Sequence, residues 1–144
     1  MRAMTPPEFA QPVSGPAYGP AFRVAATAML LAVFAMALRA TLHLPADEAA
    51  RQAYWVLGMG LFALACTYWV LMRSTTIIDA DGIRQSGLID KRVAWQEVRS
   101  AWLFGPSFAR RLVVRTDRGR FRFFFGGSPQ LLAAFDRIAQ AAQA

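Results

Sequence analysis

Residues 53–72 read AYWVLGMGLFALACTYWVLM, twenty consecutive positions without a charge. About twenty apolar residues are what a helix needs to cross the hydrocarbon core of a bilayer. Tyr54 and Trp55 stand at one end and Tyr68 and Trp69 near the other, the placement of aromatic belts at two membrane–water interfaces. The competing reading is a buried helix of a soluble bundle. It fails on size, because a chain of 144 residues cannot enclose helices that are apolar all round.

Upstream lies a second apolar segment. Val24–Leu38 is uncharged, and the apolar character resumes after Arg39 as far as Leu44, which predicts a helix over 22–44 with Arg23 and Arg39 snorkelling from its ends. Arg23 before this run and Ala35 and Ala37 in A-x-A spacing admit a cleaved signal peptide. The long Pro-rich segment ahead of it and the continuation through Thr41 and Leu42 speak against cleavage. Residues 45–52, PADEAARQ, form a short polar connector, so the two spans make an antiparallel hairpin over 21–72. Gly58, Gly60 and several alanines provide small faces for close helix approach. Residues 1–20 carry five prolines and two glycines and read as a disordered Pro-rich tail.

Charge divides the chain. Residues 1–72 carry a net charge of +1 and residues 73–144 a net charge of +6, which points to an anionic neighbour such as a membrane surface. Arg2, Arg23, Arg73, Arg84, Lys91 and Arg92 lie on the terminal side of the spans, against Arg39 and Arg51 on the connector side. The positive-inside rule then predicts both termini in the cytoplasm. Cys66 is the only cysteine and sits within the second span as a small hydrophobe.

After Arg73 the apolar period shortens to two. Strands are predicted at 74–78, 83–86, from Lys91, from Val98 to Gly105-Pro106, and at the two arms RLVVRT and RFRFFF flanking Asp117-Arg118-Gly119. Ser128 is an N-cap candidate, Pro129 suits the first helical turn, and Leu131, Leu132, Phe135 and Ile138 mark one helical face. Two registers compete for the arms. A two-residue loop at Arg118-Gly119 pairs Thr116, Val114 and Leu112 with Phe121, Phe123 and Phe125. A three-residue loop pairs Val114 with Arg122 and Leu112 with Phe124. Because register follows the buried face, the first is expected, with the phenylalanines mostly in the core and Phe135 inserted against Phe121, Phe123 or Phe125.

The segments TTIIDADGI, VAWQEVRSAWL, LVVRTDRGRFRFFF and SPQLLAAFDRI resemble the bacterial pleckstrin-homology-like (PH-like) domains that follow two N-terminal membrane helices. The resemblance covers residues 73–142, and Val93-Ala94-Trp95-Gln96-Glu97-Val98 carries its most telling pattern. It implies a seven-stranded, two-sheet, partly open barrel capped by a C-terminal helix, in a small protein of the bacterial inner membrane. The apolar setting Val93-Ala94-Trp95 ahead of Val98 predicts Trp95 buried, with Glu97 near a strand-to-turn corner. PH domains that bind phosphoinositides use cations on the loop joining their first two strands. Asp79-Ala80-Asp81-Gly82 is short and acidic instead, so that activity does not carry over.

Function is expected to be non-enzymatic. No His/Cys/Asp/Glu cluster has metal spacing, no Gly-rich loop cradles a phosphate, and no cofactor is implied. His43 reads as an interfacial residue. Arginine occupies positions where an RNA-recognition strand needs an aromatic and a small residue, so nucleic acid is not an expected partner. The expected role is a protein-interaction or scaffolding module, with a protein partner, a second copy included, and with membrane lipids. The alternatives are a sensor of anionic lipid surfaces and an accessory subunit of a larger membrane complex. Arg110, Arg111, Arg115, Arg120 and Arg122 are the candidate lipid or partner contacts, with Lys91 and Arg92 as neighbours.

Overall fold

A computed structural model describes residues 11–43, 45, 47–107 and 109–143. Residues 1–10 of the Pro-rich tail, Leu44 at the end of the first expected span, and Ala46 in the connector lie outside the described residues. The chain forms two compact units, one of residues 21–72 and the other of residues 1–20 together with 73–144.

The first unit is a pair of helices, α1 (Pro20–Leu42) and α2 (Glu48–Arg73). Both are long and apolar enough to cross a membrane. Their apolar side chains stay exposed, only Ala37 and Ala50 being buried among the described residues, so neither is a core helix of this chain. Hydrogen bonds join them at both ends: Thr27 Oγ1 to the Tyr68 hydroxyl at 2.6 Å, the Arg23 guanidinium to the Met72 carbonyl at 3.3 Å, and Tyr54 Oη to the Thr41 carbonyl at 3.0 Å. Half of the polar connector belongs to α2, because Asp47 accepts the Ala50 N–H at 2.8 Å and caps the helix. Gly58 and Gly60 do not mediate helix approach, since nothing lies within 4 Å of a Cβ built on either.

Among the described residues the second unit contains seven strands in two antiparallel sheets. The first sheet has the order β1 (Val13–Pro16), β2 (Thr75–Ile78), β3 (Gly82–Gln85), β4 (Lys91–Ala94). The second has the order β5 (Val98–Phe104), β6 (Arg111–Thr116), β7 (Phe121–Phe125). Among the described residues the sheets remain separate ladders and no closed barrel is found. Helix α3 (Pro129–Gln143) packs on β5 and β1, and Ser128 Oγ accepts the Leu131 N–H at its N-terminus.

Strand β1 corrects the reading of residues 11–20 as disordered. Pro12 and Pro16 suggested that no ladder could form there. At a sheet edge, however, a missing N–H is tolerated on the side that faces no partner. Val13 pairs with Ile78 and Pro16 with Thr75, Ala17 N–H donates to the Ser74 carbonyl at 3.0 Å, and Gly127 N–H donates to the Pro16 carbonyl at 2.8 Å. The first two strands are therefore joined by α1 and α2, not by Asp79–Gly82, which connects β2 to β3.

The hairpin register is also corrected. Val114 pairs with Arg122, Leu112 with Phe124 and Arg115 with Phe121, the arrangement of a three-residue loop. Gly119 decides it: its φ of 72° is the left-handed conformation that closes such a loop, and its N–H donates to the Thr116 carbonyl at 2.9 Å. The two-residue alternative would have required Arg118 at positive φ. One consequence is that Phe124 alone of β7 is fully buried, while Phe121 and Phe123 are 53% and 44% exposed. Phe135 is buried as expected, but its cluster contains Phe124, Leu112 and Val114 and none of the three phenylalanines named from the sequence.

Trp95 is buried and its indole N–H donates to the Asp79 carbonyl at 2.9 Å, with Glu97 closing a short 3₁₀ turn over Trp95–Glu97. Two buried side chains stitch the sheets together. Thr76 Oγ1 donates to the Phe125 carbonyl at 2.7 Å, and Gln85 Oε1 accepts the Phe125 N–H at 3.2 Å. The isosteric change Thr76→Val leaves that carbonyl without its donor and is expected to cost about 1–3 kcal/mol, read as a lowered thermal midpoint of the full chain.

Candidate functional site: a basic and apolar rim

Side chains alternate along β5, β6 and β7, so one face of this sheet enters the core and the other faces outward. The register sets three rows on the outer face: Ser100–Arg115–Phe121, Trp102–Val113–Phe123 and Phe104–Arg111–Phe125. Val113 is buried between its neighbours, whereas Phe104 is 62% exposed. The Arg111 guanidinium lies 5.0 Å from the Phe125 ring centroid and that of Arg115 lies 5.9 Å from the Phe121 ring. Each arginine lies over one face of its ring, the geometry of a cation–π contact.

The third row sits where the chain leaves this unit. Tyr18, two residues before α1, has its ring centroid 5.2 Å from that of Phe125. Burial pushes its phenol above the ordinary value, and the nearby Arg111 guanidinium pulls the other way. The chain re-enters at Ser74, whose hydroxyl donates to the Ser86 carbonyl, while Ser86 N–H donates to the Thr75 carbonyl at 2.9 Å. Ser86 opens the β3–β4 loop, and at the tip of that loop Leu88 and Ile89 are 64% and 73% exposed. Lys91 follows, its Nζ 5.7 Å from the Phe125 ring centroid and 3.3 Å from the Phe123 carbonyl to which it donates. Leu88, Ile89, Lys91, Phe104 and Arg111 thus gather at the end of the unit that carries both chain connections to the helices.

The five arginines singled out in the sequence do not form one patch. Arg111 and Arg115 lie on the outer face. Arg110 pairs with Asp136 of α3 at 3.7 Å. Arg120 and Arg122 line a cleft with Arg92 and Arg118 on the far side of the hairpin. Leu88 and Ile89 were missed because the loop was read only as a turn. The signal was present, since two adjacent apolar residues between Gly87 and Asp90 cannot both enter a core. Among the described residues no group of three His, Cys, Asp or Glu side chains could hold a metal ion. No family model, curated protein or solved structure matches this chain.

Proposed function

We propose that the protein is a membrane-anchored docking module whose β-sheet unit rests on the anionic surface of the bilayer that α1 and α2 cross. The observation that carries this reading is the rim: apolar tips and cations gathered where the chain departs for two apolar helices. Phe, Leu and Ile side chains add interfacial burial, and each Lys or Arg near an anionic leaflet adds ~1 kcal/mol. A second copy is a poor occupant for this surface, because Lys91 and Arg111 would meet their own like.

The pairing of β1 with β2 supports a hairpin topology with both flanks on one side, since a ladder cannot form across a bilayer. It supports retention of α1 as well, because cleavage would remove β1. The basic excess outside the spans favours the cytoplasmic side of a bacterial inner membrane. Seven strands in a four-plus-three arrangement followed by a helix support the PH-like reading. In that frame, the connection used by phosphoinositide-binding PH domains is taken up here by the helices. The outer face supports a second reading, a protein-interaction module, through Trp102, Phe121, Phe123 and Arg115, the aromatic and arginine types enriched in protein interfaces.

The test reconstitutes the full chain in nanodiscs of phosphatidylcholine alone or with phosphatidylglycerol and follows amide hydrogen exchange. Residues 86–91 should gain protection with the anionic lipid, lose it at high salt, and lose it in the double variant Lys91→Glu/Arg111→Glu. Equal exchange in both lipids would overturn the reading.

A further inference from the structure

At the other end of the strands a cleft opens between β4 and the β6–β7 turn. Its volume is about 210 Å³, and Arg92, Arg118, Arg120 and Arg122 line it together with Glu97, Thr116 and Asp117. Four guanidiniums thus face two carboxylates. Elsewhere arginines in this chain find acids: Arg51 reaches Glu48 at 3.2 Å, Arg84 reaches Asp79 at 3.6 Å, and Arg110 reaches Asp136 at 3.7 Å. None of the four cleft arginines makes an ion pair among the described residues. Asp117 is partly engaged, its Oδ1 accepting the Arg118 amide at 2.7 Å.

Arg122 carries the argument. Its cross-strand partner is Val114, which is buried, so Arg122 stands on the inward face of β7 where alternation calls for an apolar residue. It is half-buried there. Four like charges around one cleft repel by more than two carboxylates offset, Arg122 being the one of them that is half-buried, and an anion in the cleft reverses the sign of that interaction. Guanidinium forks match the oxygens of a tetrahedral phosphate in paired hydrogen bonds. At about 30 Å³ per water the cleft holds roughly seven water molecules, room for a phosphate group with a small substituent.

We propose that this cleft binds a phosphate group carried by a small soluble molecule. The source follows from position. Arg118 and Arg120 precede β7 at the turn, and Phe125 at the corner where the chain leaves for the helices lies four residue steps beyond Phe121, roughly 13 Å further along the strand. A lipid headgroup belongs at that corner, not here. The choice of a soluble source rests on the bilayer reading, whereas the anion site itself does not, and its failure leaves that reading untouched.

The experiment titrates the full chain, in phosphatidylcholine nanodiscs at fixed ionic strength, with inorganic phosphate and with glycerol 3-phosphate, by calorimetry. Saturable binding at one site is expected below about ten millimolar. Arg122→Gln and Arg118→Gln should each weaken it by at least about tenfold, the loss of a charge-assisted hydrogen bond. Arg137→Gln, an equal change of net charge away from the cleft, should stay within about twofold. Thermal midpoints of all variants identify any that unfold, and Arg118, exposed on the turn, serves if Arg122→Gln does. Absence of saturation, or an equal loss in Arg137→Gln, would overturn the site. Nanodiscs carrying phosphatidic acid form the second arm: if they occupy the cleft and abolish the calorimetric signal, the soluble source is refuted in favour of a lipid headgroup.

Discussion

Phe135→Ala is expected to unfold the strand-and-helix unit under conditions in which the parent chain is folded. Phe135 is fully buried and shares its cluster with Leu112, Val114 and Phe124 of the second sheet and with Leu131 and Ile138 of its own helix. Its ring lies against the backbone of Gly126, where an added Cβ would come within 2.7 Å of Cε2. Packing on several sides leaves little to collapse into the void, so truncation should cost ~3–5 kcal/mol. That approaches the whole stability of a small domain, about 5–15 kcal/mol. Arg137→Ala, on the exposed side of the same helix, should change stability by no more than about 0.5 kcal/mol. Thermal unfolding of both variants in detergent, followed by the fluorescence of buried Trp95, makes the comparison. Equal midpoints would take α3 out of the core.

The second large effect is expected at Gly127. A Cβ there would meet the carbonyl carbon and oxygen of Tyr18 at 2.4 and 2.5 Å and the amide nitrogen of Gly19 at 2.7 Å. All three are backbone atoms, so no rotamer change relieves the clash. Gly127→Val must therefore push the 16–19 segment away, breaking the bond from Gly127 N–H to the Pro16 carbonyl and loosening β1 from β2. Overpacking alone costs about 1–3 kcal/mol, and each ladder bond lost adds ~1 kcal/mol. Hydrogen exchange should show residues 13–17 losing protection while β5 keeps it. Unchanged protection at 13–17 would mean that this strap is not held by the Gly126-Gly127 turn.

Composition made the two long helices legible, because twenty uncharged residues are a local property that no distant contact can hide. The periods of the later strands and the cap at Ser128 were legible for the same reason. What escaped depended on partners remote in sequence. Pro12 and Pro16 are breakers read alone, yet beside Thr75–Ile78 they bound an edge strand. The β6–β7 register turned on one dihedral of Gly119, which outweighed the more uniform apolar face of the alternative. That single shift moved Phe121 and Phe123 outward and carried Arg122 inward, dividing the arginines between an outer face and a cleft. The rim escaped because it is assembled from three separate loops and strand ends, none of which is distinctive by itself.

Strand β1 has a consequence in time. It leaves the ribosome ahead of both long helices, and its partner at Thr75 follows about sixty residues later, after those helices have been made. At 5–20 residues per second that interval is roughly 3–12 s, far longer than a hairpin needs to close. Val13–Pro16 therefore waits unpaired, and the prolines around it discourage promiscuous strand pairing meanwhile. β1 joins the sheet only once β2 has followed both helices, so a nascent chain whose two helices fail to pair is left with an exposed β2 edge. Such an edge offers its unpaired N–H and C=O groups to any other strand, so the order of synthesis links sheet closure to the fate of the helices.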